Sequence, residues 1–263
     1  LKSKLTIKSI KKIPLINPDY ILICSPTSLH HKQLIFLNKN IKNKIILVEK
    51  PIFYKEMTFP KLNNKVYVGY DMRFNPMMIK IKKLINKKNI FSINVFCGSY
   101  LPSWRKNVDY KKSYSAIKKL GGGVAYDLSH EIDYINWLFG NINIKYSLSK
   151  KVSNLKITSD DLFILIGRIK KIYLNLTLNY YSRNPLRNIQ VDGDNICLIA
   201  DFIKNKLVYK NASKSYSINF KKNKRGDTTK LLHQSIIKKN GKDVSKLNHG
   251  LKVLNIINNS LLK

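Results

Sequence analysis

The chain of 263 residues is long enough for one large domain or two smaller ones, and its 44% hydrophobic content excludes an intrinsically disordered chain. No apolar run approaches the roughly 18 residues that a membrane-spanning helix needs, and no signal-peptide pattern opens the sequence, so we expect a cytoplasmic protein. The three cysteines lie far apart, which indicates neither a disulfide framework nor a metal site.

The formal net charge of +34 suggests nucleic-acid binding. However, lysines occur in almost every segment of the chain, and only six of the 49 basic residues are arginine, the residue best suited to bidentate phosphate recognition. Lysine, asparagine and isoleucine are all abundant, as a coding bias towards A and T would produce. We therefore expect non-specific attraction to polyanions and no specific nucleic-acid partner.

The first part of the chain has a strand–helix–strand pattern. Apolar runs at 20–25 and 44–49 flank a segment with helical spacing at 28–40, and a further short apolar run follows at 66–69. Short connections between such elements are typical of a βαβ unit with parallel strands. We therefore predict a parallel sheet in residues 1–70.

The second part of the chain is typical of an α+β domain. Residues 174–181 alternate between leucine and polar side chains, which predicts a half-buried strand, and 161–169 should pair with it across a turn. The other predicted elements are a helix at 74–86, a strand at 91–100, short strands to about Phe220, and helices near 227–240 and 244–262. We predict a mostly antiparallel sheet in residues 71–263, with the domain boundary near Tyr70.

The second predicted strand ends in the tripeptide Glu49-Lys50-Pro51. Ligands of open α/β sheets bind outside the carboxyl edge of the strands, where this tripeptide should lie. Pro51 restricts the backbone of Lys50 to extended conformations. The alternative is a strand end that carries a solvent-exposed ion pair between Glu49 and Lys50.

The first predicted strand is followed by Ser25, Pro26 and Thr27. These residues should lie beside Lys50, because parallel strands end at the same edge of a sheet. The alternative is ordinary N-capping of the next helix, with Thr27 or Ser28 as the cap. His30, one helical turn further, is by itself predicted to be a surface histidine.

Three consecutive glycines, Gly121 to Gly123, precede a segment with helical spacing. They allow close backbone approaches or simply a flexible loop. At 100° per residue, Asp127, His130 and Tyr134 share one face, which we expect to point into a cleft. A second, apolar stripe consists of Leu128, Ile132, Ile135 and Phe139.

A carboxylate one helical turn from an imidazole suits a general base, because it can raise the basicity of the ring and orient it. Asp127 and His130 have this spacing. The alternative is an aspartate favoured by the helix dipole together with an incidental histidine. The spacing alone leaves both open.

Three motifs together resemble the Gfo/Idh/MocA family of oxidoreductases: SPTSLHH after the first strand, EKP after the second, and GGGVAYDLSHEIDYINWLFG. The resemblance covers about Pro18 to the C-terminus, and the stretch from Gly98 to Tyr134 resembles a branch found with surface-sugar biosynthesis. It implies an NAD- or NADP-dependent dehydrogenase or reductase acting on a sugar, cyclitol or nucleotide sugar. It also implies a Rossmann-like first domain and a homo-oligomer formed through an open-faced second sheet.

The resemblance implies roles for three catalytic residues. The lysine of the family's EKP matches Lys50, and the aspartate and histidine of its helix match Asp127 and His130. His130 would remove the hydroxyl proton, Lys50 would stabilise the alkoxide charge, and Asp127 would orient the histidine. The family commonly has D-x-x-x-H, whereas this chain has D-x-x-H, which still leaves both groups on one helix face.

Further candidates line the expected cleft, and none of them is a metal ligand. The cofactor-binding candidates are Ser25, Pro26, Thr27, His30, Glu49 and Lys50. The substrate-binding candidates are Trp104, Arg105, Tyr110, Tyr181 and Arg183, with Arg187 as a second residue that could meet a phosphate or carboxylate. Tyrosine-rich loops also serve as ordinary domain packing, which is the alternative for this group.

The sequence contains no G-x-G-x-x-G turn and begins with Leu1. In the family this turn brings a pyrophosphate to a helix N-terminus. We therefore expect the Rossmann-like domain to be truncated and residues 1–263 to bind NAD(H) or NADP(H) weakly. The competing hypotheses are a non-catalytic sugar-binding or assembly remnant of the same family and a basic polyanion-binding protein.

Overall fold

The computed structural model describes residues 9–58, 60–222, 224 and 226–261. In this part of the chain the strands are β1 (Tyr20–Ile23), β2 (Ile45–Val48), β3 (Lys65–Val68), β4 (Ile90–Gly98), β5 (Asn143–Lys150), β6 (Leu162–Ile169), β7 (Ile172–Asn179), β8 (Leu186–Gly193), β9 (Ile196–Asp201), β10 (Lys206–Lys210), β11 (Ser215–Asn219) and β12 (Ser245–Lys246). The helices are α1 (Ile13–Ile16), α2 (Thr27–Asn40), α3 (Pro76–Ile85), α4 (Val124–Asp127), α5 (His130–Phe139), α6 (Asp227–Lys238) and α7 (Leu247–Leu261). Short 3₁₀ turns connect several of these elements.

The first sheet has the strand order β1-β2-β3-β12. Strands β1, β2 and β3 are parallel neighbours, with Ile23 opposite Val48 and Val48 opposite Val68. The prediction of a parallel sheet from these three runs is therefore confirmed. β12, near the end of the chain, adds to β3 in the antiparallel direction. Ile46, Leu47 and Val48 are almost completely buried, as expected for a central strand covered on both faces.

The second sheet has eight strands in the order β11-β10-β9-β8-β4-β7-β6-β5. Its pairs are antiparallel except for β4 with β7, which run parallel. The mostly antiparallel sheet predicted for this part is confirmed. In β7 the leucines at 174, 176 and 178 are buried, but Asn179 is buried as well. The side chain of Asn179 accepts hydrogen bonds from the backbone N–H groups of Tyr181 and Ser182, which satisfies its buried oxygen.

The glycine-led helix is broken into two pieces. α4 ends at Asp127 and α5 begins at His130, with Leu128 in a non-helical conformation between them (φ −96°, ψ 26°). A single helix over this stretch is therefore a wrong prediction. The glycines serve a close approach: a Cβ on Gly122 would lie 2.2 Å from the carbonyl oxygen of Tyr114. Gly121 and Gly123 have φ of +85° and +142°, which glycine adopts more readily than other residues.

In the part of the chain that the structure describes, we find no helix with the length and apolar character needed to cross a bilayer.

Candidate active site

The carboxyl ends of the parallel strands β2 and β3 border one cavity of about 120 Å³. Glu49 and Lys50 reach it from the end of β2, and Asp71 from the turn that follows β3. His130 lines it from the first position of α5, and Thr229 from α6. The fold thus brings Lys50 and His130 to the same cavity from distant parts of the sequence.

The Lys50 side chain links the end of β2 to the end of α4. Its Nζ donates a hydrogen bond of 2.5 Å to the main-chain oxygen of Asp127. The Glu49 carboxylate instead accepts the backbone N–H of Lys50 at 3.3 Å. The alternative of a solvent-exposed ion pair between Glu49 and Lys50 is therefore not what the structure contains.

Glu49 lies in an environment that disfavours its charge. Burial raises the pKa of the Glu49 carboxyl; the N–H bond and the charge of Lys50 oppose this, and the nearby Asp71 carboxylate adds to it. Gly69 packs directly against Glu49, because a Cβ at Gly69 would lie 3.0 Å from Glu49 Oε2. The carboxyl group is thus held firmly at the strand edge.

His130 is largely buried, with 16% of its side chain exposed. Its Nε2 lies 3.9 Å from Asp71 Oδ1, and its ring packs edge-on against Tyr70 with centroids 5.6 Å apart. Burial, followed by the positive charges of Lys50 and Arg187, holds the pKa of the His130 imidazole well below its usual range. The ring is therefore neutral at physiological pH and able to accept a proton.

Asp127 does not pair with His130. Its buried Oδ2 accepts a hydrogen bond of 2.5 Å from the hydroxyl of Tyr180, which follows β7. Among the described residues, Asp127 Oδ1 and His130 Nδ1 both lack a hydrogen-bond partner. The prediction that Asp127 orients His130 is wrong, because the break between α4 and α5 removes the helical relation on which the prediction rested.

Tyr134 does not face the cavity either. Its side chain is fully buried, and its ring lies 6.3 Å from that of Phe202 in a tilted arrangement. The expected polar stripe of Asp127, His130 and Tyr134 is thus corrected to His130 alone. Two residues of the predicted apolar stripe, Ile132 and Ile135, are fully buried in the main core.

Ser25, Pro26 and Thr27, which follow β1, do not line this cavity. α2 begins at Thr27, with the exposed Pro26 as N-cap and no side chain capping it. N-capping by Thr27 or Ser28 is therefore not observed. Ser25 donates its hydroxyl proton to Gln33 Oε1 at 2.7 Å, within α2. Among the described residues, no side chain caps the first N–H groups of α2, which favours an anion near this edge.

His30 is buried rather than exposed, with 1% of its surface accessible. Its Nε2 lies 2.8 Å from the carbonyl oxygen of Ser25, and its Nδ1 lies 3.2 and 3.1 Å from those of Pro51 and Ile52. The prediction of a surface histidine is wrong. The ring links the segments after β1 and β2, so it shapes the edge of the sheet from behind.

Three of the substrate-binding candidates come together. Trp104, Arg105 and Tyr110 line one small pocket in the loop after β4. Trp104 packs edge-on against Tyr180 at 5.2 Å, and the Arg105 guanidinium lies 5.7 Å from the ring centre of Tyr114. Burial, and next the Asp127 carboxylate, raises the pKa of Tyr114. The loop pocket therefore adjoins Asp127 through two tyrosines.

The remaining substrate-binding candidates lie elsewhere. Arg183 is exposed, and its guanidinium stacks on Tyr100 at 4.3 Å. Arg187 forms an ion pair of 2.7 Å with Glu131, whose side chain is fully buried, so this arginine already has an anionic partner. Tyr181 is half-buried at the end of β7 and does not line the pocket of Trp104.

The sequence interpretation missed two polar residues of the cavity, Asp71 and Thr229. Asp71 comes three residues after the third parallel strand, so the rule that ligands bind beyond the carboxyl edge contains a signal that would have found it. Thr229 carries no such signal, because it comes from a helix near the end of the chain.

Comparison with known proteins confirms the resemblance found in the sequence. Residues 82–202 match the C-terminal alpha/beta domain of the Gfo/Idh/MocA oxidoreductase family. An uncharacterized oxidoreductase of Synechocystis sp. is 27% identical over 139 residues, which are 48% of this chain and 36% of that protein. The alignment therefore spans about a third of this relative.

Solved structures share the fold over almost the whole chain. The WlbA dehydrogenase of Bordetella pertussis, crystallised with NADH and UDP-GlcNAcA, is 16% identical with a TM-score of 0.75 over 95% of this chain and 78% of its own. The apo form of levoglucosan dehydrogenase is 14% identical with a TM-score of 0.79 over 97% of this chain and 80% of its own. At such identities the likeness concerns the fold.

Proposed function

We propose that this chain carries the active site of an NAD- or NADP-dependent oxidoreductase that moves a hydride between a nicotinamide and a sugar, cyclitol or nucleotide sugar. The observation that carries the proposal is the meeting of Lys50 and His130 at one cavity on the carboxyl edge of a parallel sheet. The matched family domain and a fold shared with two sugar-related dehydrogenases support it.

The edge of the first sheet fits the nicotinamide end of such a cofactor. The start of α2 is free of a side-chain cap, and buried polar atoms of Asp127 and His130 lack partners among the described residues. Within the sheet edge, the residues that would hold the cofactor are Ser25, Pro26, Thr27, Glu49 and Lys50, with His30 fixing the two strand ends.

The chain's own residues divide the acid–base work. The bound nicotinamide supplies the hydride acceptor or donor. His130, neutral because of burial and two neighbouring cations, takes the proton of the substrate hydroxyl. The Lys50 ammonium, held by the main-chain oxygen of Asp127, stabilises the negative charge that develops on the substrate oxygen. Carbonyl reduction reverses the same steps.

The proposal is tested by turnover with a panel of substrates. UDP-N-acetylglucosamine, UDP-GlcNAcA and levoglucosan are each supplied with NAD⁺ or NADP⁺, and formation of the reduced nicotinamide is followed by absorbance. His130→Ala and Lys50→Ala should each lower turnover by roughly 10²-fold. His31→Ala and Lys39→Ala, which change residues of α2 outside the cavity, serve as matched controls. Normal turnover in both site variants contradicts the proposal.

We also propose that the chain forms a homo-oligomer through the outer face of the second sheet. On this face Tyr146 and Ile166 are register partners that are 52% and 47% exposed, and Ile199 is 40% exposed. Such apolar exposure on one sheet face is typical of an interface. Ile166→Lys should shift the chain towards the monomer in analytical ultracentrifugation, whereas Leu15→Lys, which changes an exposed residue of α1, should not. An unchanged oligomeric state in Ile166→Lys refutes this interface.

A further inference from the structure

Asp71 occupies a defined position between α6 and His130. Its Oδ2 accepts hydrogen bonds from the hydroxyls of Thr228 at 2.7 Å and Thr229 at 2.8 Å. Its other oxygen, Oδ1, lies 3.9 Å from His130 Nε2. Both groups border the same cavity. The two threonines thus fix one carboxylate oxygen and leave the other facing the histidine.

The charged groups around His130 come from several elements. Lys50 and Glu49 line the same cavity from the end of β2. Arg187 of β8, which is paired with Glu131 of α5, adds a second positive charge near the ring. The two cations oppose protonation of the ring. Of the carboxylates, Glu131 is occupied by Arg187 and burial disfavours the charge of Glu49. Asp71 is therefore well placed to counter the cations.

Tyr70 and Thr229, which also pack near the ring, carry no charge that opposes this role. Burial raises the pKa of Tyr70, so its hydroxyl stays neutral. Its ring lies edge-on to His130 and restricts the rotation of the imidazole. Nε2 is the ring nitrogen that lies towards Asp71, a residue that lines the cavity.

We propose that Asp71 is a positioning residue that stabilises the positive charge which His130 acquires when Nε2 accepts the substrate proton. The inference rests on the proposed function for its place in the reaction. Asp71 takes the role that the sequence pattern assigned to Asp127. A purely structural role, in which Asp71 only ties α6 to the first sheet through Thr228 and Thr229, is the competing explanation.

The first test measures protonation of His130 without any need for turnover. Nitrogen-15 NMR of the histidine rings, with His130→Gln to assign the signal, gives the protonated fraction at the lowest pH at which all proteins remain folded. The proteins are the wild type, Asp71→Asn and the control Asp194→Asn. The control removes the same charge from the turn after β8, roughly 20 Å along the strand from Arg187.

We expect a smaller protonated fraction in Asp71→Asn than in the wild type and in Asp194→Asn. The reason is that removal of a carboxylate at this distance lowers the pKa of the imidazole. Equal protonation in all three proteins, whether partial or nil, overturns the proposal. Asp71→Asn keeps one side-chain oxygen that can accept from the hydroxyls of Thr228 and Thr229, so this variant should still fold.

The second test separates this inference from the proposed function. With a substrate that the wild type turns over, Asp71→Asn should lower kcat/KM about tenfold or more and move the acidic limb of its pH profile to lower pH. A loss without movement of the limb indicates the structural role and contradicts the proposal. If the wild type turns over no substrate but the NMR difference is present, the oxidoreductase proposal fails while the coupling between Asp71 and His130 stands.

Discussion

The ion pair between Arg73 and Asp133 should dominate the stability of the junction between the two sheets. Arg73 follows β3 and binds Asp133 of α5 through two bonds, Nε to Oδ2 at 2.8 Å and Nη2 to Oδ1 at 2.6 Å. The two side chains are only 2% and 1% exposed. The hydroxyl of Ser245 in β12 completes the cluster at 3.3 Å from each partner. Three separate elements therefore meet at one buried pair.

Removing one partner leaves the other charge buried without compensation. For Arg73→Met we expect a loss of about 3–5 kcal/mol in the free energy of unfolding, a large part of the roughly 5–15 kcal/mol that holds a typical domain folded. Burial already raises the pKa of Asp133 against the opposing effect of Arg73. Without the arginine this carboxylate should become protonated more readily, which moderates the loss at low pH.

Urea denaturation followed by circular dichroism measures this loss. The double variant Arg73→Met with Asp133→Leu removes both charges and should recover much of the stability, because well-packed apolar groups often replace a buried ion pair at little cost. Lys82→Met, which breaks the exposed pair with Asp243, is the control and should change stability by less than about 1 kcal/mol. A loss below 1 kcal/mol for Arg73→Met refutes the reasoning.

The remaining predictions concern a histidine, two glycines and a tyrosine. His130 is neutral in the folded state, where its pKa is lowered, so its contribution to stability is complete above the pKa of the unfolded state. That contribution is lost as the pH falls below this value. Between pH 7 and pH 5 the urea midpoint should therefore fall less in His130→Gln than in the wild type. Gly122→Ala should lower the free energy of unfolding by more than about 2 kcal/mol, because the added Cβ would meet backbone oxygens. Gly226→Ala, which has open space around it and a φ of +90°, should lower it by only about 1 kcal/mol. Thermal unfolding compares the two, and equal losses contradict the close approach at Gly122. Tyr180→Phe removes the hydrogen bond to the buried Asp127 carboxylate and should destabilise the protein by about 1–3 kcal/mol in urea titrations; no loss would show that Asp127 is satisfied in another way.

Much of the fold was predictable because its elements have simple patterns. The runs that form β1, β2 and β3 are short, apolar and separated by a helical segment, and their ends were predicted within about two residues. The alternation in β7 identified its buried face, because a side-chain period of two has one physical interpretation. The parallel pairing of β4 with β7 was not predicted, since it depends on strand order across the sheet.

The site was less predictable, because its contacts depend on details that the sequence pattern does not contain. No proline marks the break between Asp127 and His130, so helical spacing suggested a pairing that does not exist. The burial of His30 depends on carbonyl groups of Ser25 and Pro51, which become neighbours only when β1 and β2 pair. Lys50 was predictable through its position at a strand end and through the family resemblance.

The most direct measurement follows the hydride itself. A sugar substrate deuterated at the reacting carbon is incubated with the protein and saturating NAD⁺ or NADP⁺, and mass spectrometry quantifies deuterium in the reduced nicotinamide. The account predicts deuterium transfer by the wild type and by His31→Ala, and transfer roughly 10²-fold slower in His130→Ala and Lys50→Ala. Reduced nicotinamide without deuterium, or equal rates in all four proteins, would contradict a hydride-transfer site between Lys50 and His130.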